Sequence, residues 1–503
     1  MPRRSFMLAG LFAVALPAAA HAADRVLQVV APWAVTSLEP ADTGYIATRL
    51  GIAEPLTGVE PDGRIVGLVA DGWTVSTDHL EWRFHVRPGR LFHDGSPVTA
   101  DAVVASFERA RPNAETLSTL PIATVRADGT NVVIATTSPF APLPAFLADW
   151  GGIVLAPASY APDGHTLAWI GTGPYKVTAI DGDRVVDLVA ADGVAPDVKR
   201  VRYVAATQGE TRAAMLEAGD ADLAYTLLPA ATARINAGHR ARVDSLTIPR
   251  ARLLTFDVAR PMFADLATRR AISLGIDRAG IAGAILRHPA SAASQLFPPG
   301  LADWHDAALP VPARDLPGAR ALLAQAGWRP GPDGVLTRAG EAFRFTALVP
   351  ANRPELPPMA AAIQAQLRDL GIAMEVRTGA AGAIPQAHRD GSFQAAFLSR
   401  TYVNVPDPIG TIISDFTAAR TTWASEGWRD AGLDALVAEY VRSFDPAAQP
   451  ALRARIAAIL QAELPVVAVS WSEHGVGVSP RLRGVAIDPF EMRYLIERMS
   501  WAE

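Results

Sequence analysis

The chain has 503 residues, of which half are hydrophobic and 19% are charged, as in a packed globular protein and unlike a disordered one. Its formal net charge of −5 disfavours a nucleic-acid partner, because phosphate binding depends on clustered lysine and arginine side chains. At roughly 150 residues per domain, the length predicts about three lobes or one large two-lobed body.

The first residues of the chain have the pattern of an export signal. Arg3 and Arg4 precede a short apolar stretch that ends in small residues at Ala22. This pattern predicts a secretory signal peptide at residues 1–22 and a periplasmic protein. The arginine pair followed by "SFML" is also typical of a twin-arginine signal, so the Sec and Tat export routes both stay open.

The chain contains no cysteine, which excludes disulfides and lipid attachment at an N-terminal cysteine. After residue 24 there is no uninterrupted run of 18 or more apolar residues, the length that a membrane-spanning helix needs. We therefore expect a soluble mature protein.

Strand and helix patterns alternate along the chain and predict an α/β fold. Short segments rich in β-branched and aromatic residues predict strands at 25–32, 80–88, 131–138, 253–258, 343–350 and 466–471. Helix signals lie between them. Thr207 and Glu210 have the spacing of a capping box, and Gly219 is placed to end that helix. An apolar stripe indicates a helix packed on the core, with Leu452, Ile456, Ile459, Leu460 and Leu464 on one face.

Motifs of catalysis and cofactor binding are not found. The sequence has no Gly-x-Ser-x-Gly elbow, and "GTGPYKV" at 171–177 lacks the lysine and hydroxyl residue of a phosphate-binding loop. The histidines do not occur as His-x-x-x-His. We therefore expect no enzyme, no catalytic residue, no cofactor and no metal site.

Residues 71–110, "DGWTVSTDHLEWRFHVRPGRLFHDGSPVTADAVVASFERA", resemble the signature of the large solute-binding proteins of ABC importers for peptides and nickel. Further segments similar to that family follow in the same order at 171–175, 210–223, 259–281, 319–328 and 363–376. The resemblance covers nearly the whole mature chain. It is specific for the family and much less specific for the solute.

The resemblance implies a two-lobed periplasmic-binding-protein fold with a hinge of crossing strands. Lobe I is expected at 23–255 plus 478–503, with a possible subdomain at about 57–174, and lobe II at 256–477. The lobes would close on a solute and present it to a membrane permease. The protein is expected to act as a monomer.

The segment "RTYVNVPDPIGTIISDFTAAR" at 400–420 lies where relatives place cleft residues. In relatives that bind dipeptides, an aspartate at the position of Asn404 takes the α-amino group, and an amide cannot offset that charge. In nickel-chelate binders an aromatic residue stands at the position of Tyr402 and a histidine stands near Arg420. An arginine cannot ligate a metal but pairs well with carboxylates, so Arg420 disfavours direct nickel binding. Asn404 disfavours free dipeptides.

Other ligand-binding candidates that the resemblance implies are Trp33, Tyr45, Arg49 and Trp423. Each could instead be a packing, capping or solvated residue. Arg49 and Arg420 with aromatic walls would suit a carboxylate-bearing solute, such as a modified peptide, an opine-like metallophore or another metal chelate. Two alternatives stay open: a secreted enzyme without a recognisable motif, and a binding protein with a sensor or chaperone role.

Overall fold

The computed structural model describes residues 25–417 and 423–502. The predicted signal peptide at 1–22 and the candidate Arg420 lie outside the described residues. Within those ranges, no helix is both long enough and apolar enough to cross a membrane.

The structure mixes many short strands with helices. The strands are β1 (Val26–Ala31), β2 (Thr57–Val59), β3 (Ile65–Gly67), β4 (Ala70–Val75), β5 (Glu81–Val86), β6 (Ile122–Asp128), β7 (Asn131–Thr136), β8 (Tyr175–Asp181), β9 (Val185–Ala190), β10 (Arg200–Ala205), β11 (Leu223–Tyr225), β12 (Arg242–Phe256), β13 (Arg329–Pro330), β14 (Leu336–Arg338), β15 (Glu341–Ala342), β16 (Arg344–Pro350), β17 (Ala373–Gly379), β18 (Ala395–Thr401), β19 (Val466–Val478), β20 (Leu482–Arg483) and β21 (Ser500–Trp501).

The helices fall mostly between the strands of the main sheet. They are α1 (Pro40–Arg49), α2 (Ala100–Ala110), α3 (Glu115–Ser118), α4 (Leu143–Phe146), α5 (Gly209–Ala218), α6 (Pro229–Gly238), α7 (Pro261–Ala264), α8 (Leu266–Gly275), α9 (Arg278–Ala284), α10 (Leu316–Gln325), α11 (Leu356–Arg368), α12 (Ala383–Asp390), α13 (Ile409–Ile412), α14 (Ala431–Arg442) and α15 (Gln449–Glu463). The predicted α/β class is confirmed.

One sheet of ten strands runs through the molecule in the order β17-β16-β18-β12-β19-β11-β1-β10-β9-β8. Strand β1 pairs in parallel with β10 and β11, and β16 pairs in parallel with β17 and β18. The two long central strands, β12 and β19, pair with each other in antiparallel register and connect these two halves. They are the crossing strands that the sequence resemblance implies.

The ladder between β12 and β19 is interrupted near its middle. Ile248 pairs with Ser472, and the next pair is Ala251 with Trp471, so that residues 249 and 250 form a bulge on β12. The predicted lobe boundaries at 255/256 and 477/478 fall at the C-terminal ends of the two strands. The exact division into lobes stays a prediction.

The apolar interior is divided into clusters. One lies around β1 and β10 and includes Leu27, Tyr203 and Val478. The largest cluster runs from the predicted subdomain, for example Phe84 and Phe146, into the predicted lobe II. The antiparallel sheet β4-β5-β7-β6 lies within that subdomain.

Two of the sequence predictions for helices can be compared directly with the structure. Helix α5 ends at Gly219, which adopts a left-handed conformation as predicted, but Gln208 is its N-cap and no side chain caps it. The predicted capping box of Thr207 and Glu210 is therefore wrong, because the helix begins one residue later than the motif requires. In α15, Leu452, Ile456 and Leu460 of the predicted stripe are buried, whereas Ile459 and the C-cap residue Leu464 are half-buried.

The glycines of "GTGPY" allow two backbone segments to approach closely. The amide of Gly173 donates to the carbonyl of Ile52 at 3.0 Å, and that of Tyr175 donates to the carbonyl of Gly51, also at 3.0 Å. A Cβ atom on Gly173 would lie 2.2 Å from the Gly51 oxygen. This segment leads into β8 and fastens its start to the chain just after α1.

We predict that Gly173→Ala lowers the free energy of unfolding by about 1–3 kcal/mol, because the added methyl group must displace backbone atoms. Urea denaturation would measure the loss. Gly72→Ala is a suitable control, since a Cβ atom there meets nothing within 4 Å. Equal stabilities of the two variants would contradict the prediction.

Candidate functional site

A cleft with a volume of about 760 Å³ opens between the two halves of the sheet. Trp33 after β1, Thr207 after β10, Thr226 after β11 and Arg353 after β16 all line it. The carboxyl ends of parallel strands from both halves therefore meet at this cleft, which is the usual place for a ligand in open α/β sheets. The volume is within the range of small-molecule sites.

The crossing strands contribute further residues to the cleft. Arg250 and Arg252 from β12 and residues 471–475 from β19 line it, together with the loop at 286–288. Arg250 belongs to the bulge that interrupts the ladder. A change in the angle between the two halves would therefore alter the cleft.

Positive charge exceeds negative charge in the cleft. Its lining includes five arginines and three glutamates: Arg212, Arg250, Arg252, Arg287, Arg353, Glu210, Glu355 and Glu473. Such an excess attracts anionic solutes into a cleft with apolar walls.

Most of the buried arginines of the cleft already have partners within the protein. Arg212 donates to four backbone carbonyls and so holds together the loops after β10 and β11. Arg252 pairs with Glu355 at 3.3 Å and donates to the carbonyl of Trp471 at 2.9 Å. The charge of Arg250 is balanced by Glu491, at 2.7 Å.

Arg353 differs from these residues. Its side chain is half-buried, and within residues 25–417 and 423–502 it donates no hydrogen bond and makes no ion pair. Arg287 is also unpaired within those ranges but is exposed. The uncompensated positive charge of the cleft is therefore concentrated at two loops of the predicted lobe II.

A buried polar cluster adjoins the cleft behind Trp33. The Glu491 carboxylate lies 2.7 Å from Arg250 and 3.4 Å from His474 Nδ1, and Arg49 Nε donates to the Glu491 carbonyl at 2.8 Å. Burial acts to raise the pKa of Glu491, but Arg250, His474 and Arg49 outweigh it and lower that pKa to about 2. Burial lowers the pKa of His474 to about 4. At neutral pH the carboxylate is therefore ionised and the imidazole is neutral.

Three of the sequence-predicted site residues are brought together at this place. The Arg49 guanidinium lies 4.0 Å from the ring centre of Trp33 and 5.0 Å from that of Tyr45, and the two rings meet edge to face at 6.3 Å. Tyr45 and Arg49 share one face of α1 because they are four residues apart. Trp33 lines the cleft itself, whereas Arg49 lines a smaller cavity of about 10 Å³ beside it.

The other predicted residues lie elsewhere. Tyr402 is fully buried, its ring is 5.3 Å from Phe297, and its hydroxyl has no hydrogen-bond partner in the described part of the chain. Asn404 and Trp423 are half-buried, and Trp423 packs on the largest apolar cluster. None of these three side chains lines the 760 Å³ cleft. Their role in binding stays a prediction, as does that of Arg420.

The segment that begins at Arg400 is held by its own ion pair. Arg400 donates to both carboxylate oxygens of Asp415, at 2.8 and 2.6 Å, and both side chains are buried. Asp407 accepts from the amide of Ile409 at 2.9 Å and from the Tyr440 hydroxyl at 2.6 Å. Asp407 is therefore held by bonds within the protein, just before α13.

Sequence reasoning missed several residues of the site. Arg353 and Glu355 directly follow the strand predicted at 343–350, so the rule that ligands bind at carboxyl ends of strands could have found them. Glu491 lies far along the chain from Arg250 and carries no local signal. In the described residues, no group of three or more histidines and carboxylates is placed to hold a metal ion.

The unfolding free energy should depend on pH through His474. Its pKa is 6.5 when exposed and about 4 in the folded protein, so the unfolded chain binds the proton first as the pH falls. As the pH falls from 6.5 to about 4, we expect His474 to lower the free energy of unfolding by up to about 3 kcal/mol. Urea denaturation of His474→Gln at several pH values would show the stability of the native chain falling relative to the variant. A difference that is constant with pH would contradict the prediction.

The chain has clear relatives among known proteins. Residues 64–423 match the family described as "Bacterial extracellular solute-binding proteins, family 5 Middle". The nickel-binding periplasmic protein of Escherichia coli (strain K12) is 24% identical over 507 residues, which cover 95% of this chain and 96% of that protein. The glutathione-binding protein GsiB of Escherichia coli O1:K1 / APEC is 25% identical over 393 residues, or 75% of this chain and 74% of that one.

Solved structures agree with this assignment. NikA from Brucella suis in complex with Fe(III)-EDTA superimposes with a TM-score of 0.83 at 22% identity, covering 95% of this chain and all of that one. The named relatives are binding proteins rather than enzymes. Since the family match spans well over half of the sequence, the chain belongs to family 5 of the bacterial extracellular solute-binding proteins.

Proposed function

We propose that this receptor captures a carboxylate-bearing solute, peptide-like or a metal chelate, in the 760 Å³ cleft and delivers it to the permease of an ABC importer. The observation that carries the proposal is that Arg353, a half-buried residue of the cleft, makes no ion pair within the described residues. A carboxylate of the solute would supply the partner for this charge.

The remaining charges of the cleft support the same solute class. Arg250 and Arg252 are already paired with glutamates of the protein, so a solute does not need to neutralise them. Arg353 is free to form the two parallel hydrogen bonds that a carboxylate accepts from a guanidinium. The solute would thus add an ion pair that the described residues of the protein do not supply.

The walls of the cleft and the relatives support a solute larger than a simple anion. Trp33 and Trp471 line the cleft and offer apolar faces to a chelate or a peptide backbone. One relative is named for nickel and another for glutathione, and a structural neighbour was solved in complex with Fe(III)-EDTA. Glutathione and EDTA carry several carboxylates.

The proposal extends to the cell biology of the protein. We infer export by the signal at residues 1–22 and a monomer that works in the periplasm, without catalytic activity and without a resident cofactor. Tyr402, Asn404, Arg420 and Trp423 stay candidates for a second set of contacts.

Arg353→Gln should weaken the binding of Fe(III)-EDTA or glutathione by about 10- to 100-fold, because the variant cannot compensate the solute carboxylate. Isothermal titration calorimetry of the purified mature protein would measure the change. Arg377→Gln is the matched control: its side chain is 64% exposed and lies 3.8 Å from Glu375, outside the cleft.

Two outcomes would count against the solute class. One is an unchanged affinity in Arg353→Gln for a probe that the native protein binds. The other is native binding of neutral probes with affinities equal to those of carboxylate-rich ones. Native mass spectrometry of freshly purified protein would identify a solute retained from the cell.

Arg420→Ala provides a separate test of the segment at 400–420. We expect weaker binding of Fe(III)-EDTA, by about tenfold if the residue pairs with a carboxylate of the solute. Calorimetry with a free dipeptide should give weak binding in both proteins, because Asn404 cannot offset the charge of an α-amino group. Tight dipeptide binding that survives Arg420→Ala would contradict this prediction.

A further inference from the structure

Phe444, just after α14 in the predicted lobe II, packs against the predicted subdomain. Its ring stacks on His79 with centroids 3.9 Å apart and planes 10° apart, and it lies 5.8 Å from the ring of Trp82. His79 adopts a left-handed conformation in the turn between β4 and β5, with φ of 61°. The hairpin thus presents an imidazole face to the other half of the protein.

A backbone hydrogen bond joins the same two parts of the chain. The amide of Ala141, just before α4, donates to the carbonyl of Val441 in α14 at 2.6 Å. The Phe146 ring approaches Gly410 closely enough that an added Cβ atom there would lie 3.6 Å from its Cζ. The contact therefore includes stacked rings, a backbone hydrogen bond and apolar packing.

We propose that His79, Trp82, Ala141, Val441 and Phe444 form a clasp that holds the two lobes closed from a position remote from the solute. None of these five residues lines the 760 Å³ cleft. The inference rests on the proposed function in one respect, namely that the lobes move about β12 and β19 when a solute enters.

The clasp must open when the lobes separate. The two sides of the clasp lie in parts of the chain that the crossing strands β12 and β19 join. Rotation about those strands would therefore move Phe444 away from His79. Contacts that this rotation separates would exist in the closed form alone, and they would increase the closed fraction without touching the solute. The apparent affinity of a binding protein scales with the fraction in the competent conformation. The clasp would thus set the affinity for every solute by the same factor.

Small-angle X-ray scattering of the solute-free mature protein tests the clasp without knowledge of the solute. We expect Phe444→Ala to increase the radius of gyration and Phe444→Leu, which keeps apolar volume, to increase it less. Leu167→Ala is the control, since Leu167 is 53% exposed and lies outside the clasp. Circular dichroism and thermal unfolding would confirm that each variant is folded.

An engineered cross-link gives the complementary test. Because the chain has no cysteine, Ala141→Cys with Val441→Cys introduces one possible disulfide. Oxidation of this pair in the Phe444→Ala background should restore the compact radius of gyration, and reduction should reverse it. Phe444→Ala should also weaken the binding of Fe(III)-EDTA and of glutathione by a similar factor, about 3- to 30-fold.

The possible outcomes distinguish failure of the clasp from failure of the proposed solute class. An unchanged radius of gyration in Phe444→Ala, or a cross-link that fails to restore compactness, would overturn the clasp whether or not the probes bind. An expanded Phe444→Ala that the cross-link restores would support it, even if neither probe binds the native protein. In that case the proposed solute class would fail and the clasp would stand.

Discussion

The antiparallel pairing of β12 with β19 is the constraint on which the rest of the structure depends. These two strands join the halves of the ten-stranded sheet and also supply the floor of the cleft. The parallel strands on either side, β1 and β16, then direct their carboxyl ends toward the same space. The position of Trp33 relative to Arg353 therefore follows from one ladder of backbone hydrogen bonds, and a single change in that ladder would affect every part of the cleft.

Charge is distributed unequally across this framework. Glu491 and Glu355 compensate Arg250 and Arg252 within the protein, and these four side chains are no more than 15% exposed. Such buried pairs add little net stability, but loss of one partner is costly because it leaves the other charge uncompensated. Under the proposed function, the protein fixes its own charges beside the cleft and leaves Arg353 to the solute. Selectivity for anions would then arise from this difference rather than from the total charge, which is negative for the chain.

The sequence predicts local elements better than long-range arrangements. The strand expected at 343–350 is observed as β16, and Gly219, expected to end a helix, ends α5. By contrast, the strands expected at 253–258 and 466–471 are only parts of β12 and β19, because Pro249 and the glycines of β19 look like strand ends when tertiary pairing is unknown. The contact of Arg250 with Glu491 has no local signature, since it depends on how the chain returns to the first half of the sheet.

The bulge in β12 has a mechanical consequence. Pro249 has no amide hydrogen to donate, and neither it nor Arg250 pairs with β19. A few degrees of twist at this point therefore break no bond between the two strands, whereas the same twist elsewhere would strain a continuous ladder. We call the interruption at residues 249 and 250 the joint; the regularly paired parts of β12 and β19 lie on either side of it. Arg250 belongs to the joint and its side chain contacts Glu491. Twisting at the joint therefore also changes the electrostatic energy of the Arg250–Glu491 pair beside the cleft.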